Sequence, residues 1–487
     1  MSVHWPIIWS CVRNLRRTLV VDDRRSYKGA EILGASLHIA GAIASTCASR
    51  TVGVMLPTGG GFGPAAIAAW SLGKTAVPLN YLLSRDELQY VVDDCETDTI
   101  ITAKAMLDHM GFAPRVKRLV LLEDVDFRGM PEVRRPATAE PEDLAVLLYT
   151  SGTSGRPKGV MLTHWNLESN IRQVQNFVHF SQEDTMLGVL PQFHSFGMTV
   201  LTLLPMTHGI KAVYTAKFVP ARLLKLIREH RPTIFVAIPS MYNAMLSLRD
   251  AKPEDFATLR YAVSGGEPLP EAVADRFRDR FGVTINEGYG LTETSPATNI
   301  CRPHEWKRHS VGMPLPEMDE RIADPNTGAS LPANTDGEVQ MKGPNIMKGY
   351  FKLPKESAAA FTADGYFRTG DIGRFDDDGH LYITGRLKEM LIVGGENVFP
   401  REIEEAINSH PSVQDSGVVG VADPMRGELP LAFVEMREGA TFDEKAILAH
   451  VRERLAGYKV PREIRRVDAL PRNPTGKIMR RELRKMI

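Results

Sequence analysis

The sequence has 487 residues, enough for two or more domains or for one large domain with a small appendage. Its 59 Lys and Arg residues balance 59 Asp and Glu residues, which excludes a whole-chain charge that would attract nucleic acid or anionic lipid. Four scattered cysteines without a CxxC pair exclude a zinc knuckle and a disulfide framework, and they favour a reducing, cytoplasmic location.

The N-terminal apolar stretch, residues 5–12, is short and contains Pro6. Arg13, Arg16 and Arg17 follow it, which is the reverse of the charge order in a secretion signal, so no such signal is predicted. No window approaches the roughly 20 apolar residues that span a bilayer. The sequence therefore predicts no transmembrane segment and leaves only peripheral membrane contact open.

The first half of the chain alternates strand-like and helix-like patterns. Strands are predicted at 51–56, 76–79 and 99–102, and helices at 64–70 and 85–92. This alternation is typical of parallel sheets covered by helices, so the predicted class is α/β.

After about residue 330 the pattern changes to Gly-rich turns and short antiparallel strands, for example at 372–375 and 380–384. A compact α+β unit follows from residue 389. Its predicted elements are strands at 390–393, 418–421 and 432–436, a helix at 402–408 that begins near Pro400, and a last helix with a capping box of Thr441 and Glu444 and an apolar face of Ile447, Leu448, Val451 and Leu455. We therefore expect a large domain with a β-rich subdomain, residues 1–387, and a small C-terminal domain, residues 388–487.

Residues 149–159 (YTSGTSGRPKG) follow the apolar strand 144–148. Their glycines and hydroxylated residues leave backbone N–H groups free to surround phosphate oxygens, and Lys158 adds a positive charge. The segment is not a Walker A loop, because Lys158 stands three residues after Gly155 and Gly159 takes the Ser/Thr place. A plain Gly/Ser surface turn is the alternative.

A second glycine-rich run, residues 61–66 (GFGPAA), has the spacing of a dinucleotide-binding fingerprint. No acidic residue ends a strand about twenty positions later, and Pro64 suits the first turn of a helix. A nicotinamide site is therefore disfavoured.

The loop at 149–159 resembles the phosphate-binding signature of the acyl-activating, adenylate-forming superfamily, which includes acyl-CoA synthetases, beetle luciferase and the adenylation domains of peptide synthetases. Further segments similar to that family's motifs follow in the family's order, at 190–197 (LPQFHSFG), 264–268 (SGGEP), 288–294 (GYGLTET), 337–343 (GEVQMKG), 366–371 (YFRTGD), 385–389 (GRLKE), 394–397 (GGEN) and 471–477 (PRNPTGK). The resemblance runs from about Arg24 to the C-terminus. It implies the fold of the family, with a mobile C-terminal lid, and the family's chemistry.

The resemblance also implies roles for individual residues. Lys477 would reach from the small domain to the acyl carboxylate and the α-phosphate, where an ammonium offsets both negative charges. Glu293 would bind Mg²⁺, and Asp371 would accept hydrogen bonds from both ribose hydroxyls. The remaining implied contacts with ATP are Thr150, Ser151, Gly152, Thr153, Ser154, Gly155, Lys158, Gly265, Gly266, Glu267, Gly288, Tyr289, Gly290, Thr292 and Arg386.

The acyl pocket carries a sequence signal of its own. His194 stands where peptide-synthetase domains usually carry an Asp for the substrate ammonium, so an amino acid substrate is disfavoured, and His194 is expected near the acyl carboxylate. Gly290 stands where acetate-activating relatives have a Trp, so its missing side chain is expected to leave space for a longer acid. Candidate apolar walls are Phe193, Phe196, Met198, Ile238 and Met241.

The sequence thus predicts an enzyme that uses ATP and Mg²⁺ to form an acyl-AMP and then passes the acyl group to coenzyme A. A medium- or long-chain fatty acid is the leading substrate and an aryl acid its competitor. The thiol of an acyl carrier protein remains an alternative acceptor, and a luciferase-type oxygenase or a non-catalytic binding module are less favoured alternatives.

The family's two half-reactions imply a rotation of the small domain. Lys388 occupies the hinge position, and Gly394 and Gly395 would leave a passage for the thiol arm in the second arrangement. In the first arrangement Lys477 would face ATP instead.

Overall fold

The computed structural model describes residues 2–150, 156–472 and 478–487. These residues form four β-sheets with flanking helices, and strands and helices are numbered in chain order. The helices are α1 (His4–Arg13), α2 (Gly29–Ala44), α3 (Phe62–Ser71), α4 (Arg85–Asp94), α5 (Lys104–Met110), α6 (His164–Val178), α7 (Leu204–His208), α8 (Pro220–His230), α9 (Pro239–Leu246), α10 (Pro253–Phe256), α11 (Glu271–Phe281), α12 (Pro354–Ala359), α13 (Pro400–Asn408), α14 (Glu444–Arg452) and α15 (Arg480–Arg484). Among the described residues, no helix is long and apolar enough to cross a membrane.

The largest sheet has nine strands in the order β15-β14-β13-β12-β11-β9-β10-β1-β2. They are β1 (Thr18–Val21), β2 (Ser26–Lys28), β9 (Thr185–Gly188), β10 (Lys211–Tyr214), β11 (Ile234–Ala237), β12 (Tyr261–Ser264), β13 (Ile285–Gly290), β14 (Ala297–Ile300) and β15 (Met313–Pro314). The central strands from β1 to β13 are parallel, and the edge strands are antiparallel. Every residue of β11 is buried, as expected of a parallel strand covered on both faces.

A second sheet has seven strands in the order β18-β8-β7-β4-β3-β5-β6. They are β3 (Thr51–Met55), β4 (Thr75–Pro78), β5 (Thr99–Thr102), β6 (Arg118–Leu121), β7 (Leu144–Thr150), β8 (Lys158–Thr163) and β18 (Gly349–Tyr350). Strands β3, β4, β5, β6 and β7 run parallel, and α3 and α4 connect them where helices were predicted. The predicted α/β class is confirmed.

The β-rich part of the chain forms an antiparallel sheet of β16 (Asp319–Ala323), β17 (Gly337–Lys342), β19 (Phe367–Phe375) and β20 (Leu381–Arg386). A short 3-10 turn, Leu387–Glu389, follows it directly. The predicted hairpin is the pair β19 and β20.

The C-terminal part has its own sheet and its own core. The sheet contains β21 (Leu391–Val393), β22 (Glu396–Val398), β23 (Val413–Asp423), β24 (Gly427–Met436) and β25 (Glu463–Val467). Its core packs Ile403 and Ile407 of α13 and Ile447 and Val451 of α14 against the strands.

The capping box predicted for α14 is wrong. The helix begins at Glu444, and its cap is Asp443, whose Oδ1 accepts a 3.1 Å hydrogen bond from the Ala446 N–H. Glu444 instead accepts a hydrogen bond from the Ile464 N–H of β25. An Asp caps a helix as well as a Thr does, so the nearer residue starts the helix two positions later than the pattern indicated.

Candidate active site

A cavity of about 1740 Å³ lies at the carboxyl ends of the parallel strands of both large sheets, and the small domain covers part of it. In open α/β sheets this edge is where ligands bind. Its lining includes the ends of β7, β12 and β13, the Thr292–Thr294 turn, and Arg386 and Lys388. Residues from several of the sequence motifs therefore meet in one place.

The two ends of the glycine-rich loop meet in this cavity. Thr150 closes β7 and pairs with Lys158, which opens β8, and both line the cavity. The Lys158 ammonium lies 5.3 Å from the centre of the Tyr350 ring. Ser151, Gly152, Thr153, Ser154 and Gly155 lie outside the described residues, so their role stays a prediction.

Glu293 lies in a 3-10 turn, Thr292–Thr294, that follows β13. Its Oε1 accepts a 2.9 Å hydrogen bond from the Tyr350 hydroxyl, and burial raises the pKa of the Glu293 carboxyl. Its neighbour Thr292 contacts the Ser195 hydroxyl at 3.3 Å. A carboxylate oxygen is a ligand that Mg²⁺ prefers, and no cluster of three or more metal-binding side chains occurs among residues 2–150, 156–472 and 478–487. The site thus fits a Mg²⁺ ion held by Glu293 together with substrate phosphates.

Asp371 is almost fully buried, and its two partners, Tyr289 and Arg386, line the cavity. Its Oδ2 accepts a 2.6 Å hydrogen bond from the Tyr289 hydroxyl, and its Oδ1 lies 2.8 Å from Arg386 Nε. The Asp371 carboxylate raises the pKa of the Arg386 guanidinium. Burial, together with that carboxylate, raises the pKa of Tyr289. Asp371, Arg386 and Tyr289, which lie on three different strands, therefore form one polar cluster.

The cavity is also lined by residues that were predicted to form the adenine and acyl walls, namely Gly265, Gly266, Glu267, Gly288 and Gly290. The interpretation of Gly290 as a source of acyl space stays a prediction, although a substitution there would meet an obstacle. A Cβ atom there would lie 1.8 Å from the Pro296 carbonyl oxygen, so a side chain would collide with backbone before it reached the cavity. Glycine is required at this position because β13 and the Pro296 segment approach each other closely.

His194 faces the cavity, yet protein surrounds it closely enough that burial lowers its pKa. The Phe196 N–H donates a 3.4 Å hydrogen bond to His194 Nδ1, so the neutral ring presents Nε2 as a donor. A π-helical segment, Phe196–Leu203, begins just beyond it, and such segments are frequent at functional sites. His194 is therefore suited to donate a hydrogen bond to a substrate oxygen.

The apolar walls were predicted with one error. Phe193, Phe196, Ile238 and Met241 line the cavity, whereas Met198 is 1% exposed and belongs to the core. Met198 is wrong as a wall residue because, unlike Phe196 of the same π-helical segment, it packs into the hydrophobic core.

The run at 61–66 has a packing explanation. Helix α3 begins at Phe62 and holds Pro64 in its first turn, as predicted. At the preceding Gly60, a Cβ atom would lie 2.3 Å from the Tyr27 ring. The Gly60 N–H donates a 2.9 Å hydrogen bond to Asp22, so this glycine segment is held against the β1–β2 turn.

The small domain presents its C-terminal end to the cavity. Ile478, Met479 and Arg480 line it, although Lys477 itself lies outside the described residues. Arg480 bridges Glu389, beside the predicted hinge, and Glu404 of α13 at 2.8 and 2.7 Å. Gly394 and Gly395 form an exposed turn between β21 and β22, outside the cavity lining. The first arrangement, in which Lys477 would face ATP, and the thiol passage both stay predictions.

Sequence analysis missed Tyr350 and Ser195, which contact Glu293 and Thr292. Ser195 belongs to the recognised segment 190–197 and could have been weighed there. Tyr350 follows segment 337–343 by seven positions and has no local signal, because its contact is with a residue 57 positions earlier.

Comparisons with known proteins agree with this site. The family model "AMP-binding enzyme" matches residues 9–351, and "AMP-binding enzyme C-terminal domain" matches residues 402–477. A long-chain-fatty-acid–CoA ligase of Bacillus subtilis is 39% identical over 71% of this chain and 62% of its own length, and a feruloyl-CoA synthase of an Amycolatopsis species is 34% identical over 86% and 85%. The crystal structure of the anthranilate CoA ligase AuaEII with anthranoyl-AMP superposes with a TM-score of 0.92 at 27% identity, covering 100% of this chain and 97% of that one.

The family match spans most of the chain, and several residues that the family's motifs predicted, among them Lys158, Tyr289, Glu293 and Arg386, line one cavity. The chain therefore belongs to the family of AMP-binding, adenylate-forming enzymes, as an AMP-forming acid–thiol ligase.

Proposed function

We propose that this enzyme activates a medium- or long-chain fatty acid as its acyl-AMP and transfers the acyl group to coenzyme A. The observation that carries this proposal is the apolar depth of the cavity. Beyond the polar cluster, the cavity is lined by aliphatic side chains of α6 and of β9, β11, β12 and β14, namely Val174, Met186, Ile234, Val236, Val263 and Ile300. An apolar chain gains about 0.8 kcal/mol per buried methylene in such surroundings.

In the first half-reaction, a carboxylate oxygen of the acid attacks the α-phosphorus of ATP, and the bond to pyrophosphate breaks. Lys158 and Thr150, which line the cavity, face the triphosphate, and His194 of the same lining donates to the acid. Asp371 accepts hydrogen bonds from the ribose hydroxyls. Lys477 supplies the charge that offsets the two anions. Mg²⁺, when bound by Glu293 and the phosphates, neutralises phosphate charge.

In the second half-reaction, the thiol attacks the acyl carbonyl and AMP leaves with the electrons of the acyl–oxygen bond. We place the division between the domains at residues 387 and 388. The small domain rotates about Lys388, so that Gly394 and Gly395 replace the Lys477 segment at the cavity. Coenzyme A is the proposed acceptor because the similar curated proteins are CoA ligases.

An aryl acid is the competing substrate, because the similar proteins include a feruloyl-CoA synthase and the chain is similar to a ligase of anthranilate. Phe193, which stacks edge-on against Tyr81 with ring centres 4.8 Å apart, offers an aromatic wall for such a ring.

The test is pyrophosphate release with acetate, octanoate, palmitate, benzoate, 4-coumarate and ferulate, each with coenzyme A or with an acyl carrier protein. We expect the highest kcat/KM for octanoate or palmitate with coenzyme A. Higher kcat/KM for an aromatic acid would replace the fatty acid with the aryl alternative, and faster turnover with the carrier protein would replace the acceptor.

A further inference from the structure

Tyr350 is the side chain that touches both charged groups on the phosphate side of the cavity. Its hydroxyl donates to Glu293 Oε1 at 2.9 Å, and its ring lies 5.3 Å from the Lys158 ammonium. A ring at that distance attracts a cation through its negative face. One residue thus contacts the carboxylate that would bind the metal and the cation that would face the phosphates.

The backbone around Tyr350 ties the same two segments together. Strand β18 pairs with β8, where Tyr350 lies opposite Val160, and the Phe351 N–H donates to the Gly159 carbonyl at 2.8 Å. On the other side, the Met347 N–H donates to the Glu293 carbonyl, also at 2.8 Å. The short strand therefore connects the exit of the phosphate loop to the Glu293 turn.

Tyr350 itself is firmly placed. Its N–H donates a 2.8 Å hydrogen bond to Ser357 Oγ of α12, and its side chain lines the cavity. Because both ends of the side chain are constrained, its hydroxyl restricts the directions that the Glu293 carboxylate can take.

We propose that Tyr350 is a positioning residue that holds Glu293 and Lys158 in the relative placement needed to bind magnesium-loaded ATP. This inference rests on the proposed function for the identity of its ligand, Mg·ATP. It adds a residue that lies outside the segments recognised in the sequence.

The test measures ATP binding by titration calorimetry without any acid substrate, in excess Mg²⁺ and again in EDTA. We expect Tyr350→Phe, which keeps the ring and removes the hydroxyl, to weaken Mg·ATP binding roughly tenfold, as loss of a hydrogen bond to a charged group would. Binding of metal-free ATP should stay unchanged. Tyr350→Leu, which also removes the ring from Lys158, should weaken metal-free ATP binding as well.

Tyr366→Phe is the matched control. Tyr366 also donates to a carboxylate, Asp319, at 2.6 Å and lies beneath a cation, Arg321, but it is outside the cavity lining. It should bind ATP like the wild type under both conditions. Glu293→Gln should reproduce the magnesium effect, and the double variant with Tyr350→Phe should be no weaker than Glu293→Gln alone.

The proposal would be overturned if Tyr350→Phe weakened ATP binding equally in Mg²⁺ and in EDTA. It would also be overturned if the effects of the two substitutions on Mg·ATP binding were additive in the double variant. If Tyr350→Phe fails to fold, Glu293→Gln provides the test. Unchanged Mg·ATP binding in that variant would exclude Glu293 as the metal ligand that Tyr350 is proposed to position. The measurement needs no acid, so an unexpected acid specificity would change the proposed function and leave this result standing.

Discussion

The Tyr289 hydroxyl donates a 2.6 Å hydrogen bond to Asp371, although the two residues are 82 positions apart. Tyr289→Phe should preserve the ring but leave Asp371 less firmly oriented for the ribose. A hydrogen bond to a charged group contributes roughly 1.5–3 kcal/mol, so we expect the KM for ATP to rise about tenfold with a smaller change in the KM for the acid. Steady-state kinetics with each substrate varied in turn would check this, and an unchanged KM for ATP would remove Tyr289 from the ribose site.

Lys477 lies outside the described residues, and its assignment depends on the family resemblance. If it acts on the transition state, Lys477→Ala should lower the rate of acyl-AMP formation by orders of magnitude and leave ATP binding largely intact. ATP–pyrophosphate exchange and ATP titration measure the two effects separately. Wild-type exchange in this variant would disprove the assignment.

Gly290→Ala should destabilise the protein instead of shortening the acyl pocket, because its Cβ would collide with the Pro296 carbonyl. We expect a melting temperature lower by several degrees, as overpacking against backbone typically costs about 1–3 kcal/mol or more. Gly34→Ala in α2 is the control, since nothing lies within 4 Å of the added carbon, and alanine is favoured in helices. Equal melting temperatures for the two variants would contradict the predicted collision.

Lys388 lies in the 3-10 turn between β20 and β21, where the proposed hinge rotation would occur. Lys388→Pro restricts φ and should slow thioester formation while acyl-AMP formation is largely retained. Single-turnover measurements of the two half-reactions, with circular dichroism to confirm folding, provide the check. Equal loss of both half-reactions in a folded variant would argue against rotation at this residue.

His4 and His164 are both buried, and burial lowers the pKa of each ring to about 4. The unfolded chain therefore binds more protons than the folded protein between about pH 4 and 6.5, so acidification through this range should destabilise the fold. We expect His4→Leu to lose less of its melting temperature between pH 7 and pH 5 than the wild type does. Burial raises the pKa of Glu320 to about 8, so this carboxyl acts in the opposite sense. Its contribution is the same in the variant and in the wild type, and it cancels when the two losses of melting temperature are compared. Identical losses would show that His4 contributes no pH dependence.

The sequence alone was sufficient for most of the features that local patterning controls. The parallel strands at 51–55, 75–78 and 99–102 were predictable because buried strands need continuous apolar runs. The helices between them were predictable because Pro64 and the polar start of α4 mark the beginnings of helices. The polar motifs likewise predicted one site, and Glu293 and Lys158 both line the cavity. The predicted position of the α14 cap was wrong by only two residues.

Only the tertiary structure decided which residues meet across long sequence separations. Three features depend on how sheets and turns pack. They are the contact of Tyr350 with Glu293, the close approach of the Pro296 carbonyl to Gly290, and the burial of Met198 within a π-helical segment. Single-residue patterns carry no signal for such contacts, because the free energy that sets them comes from close packing between elements that are distant in the chain. The sequence therefore determined the kind of chemistry, and the packing determined which side chains meet in the candidate site.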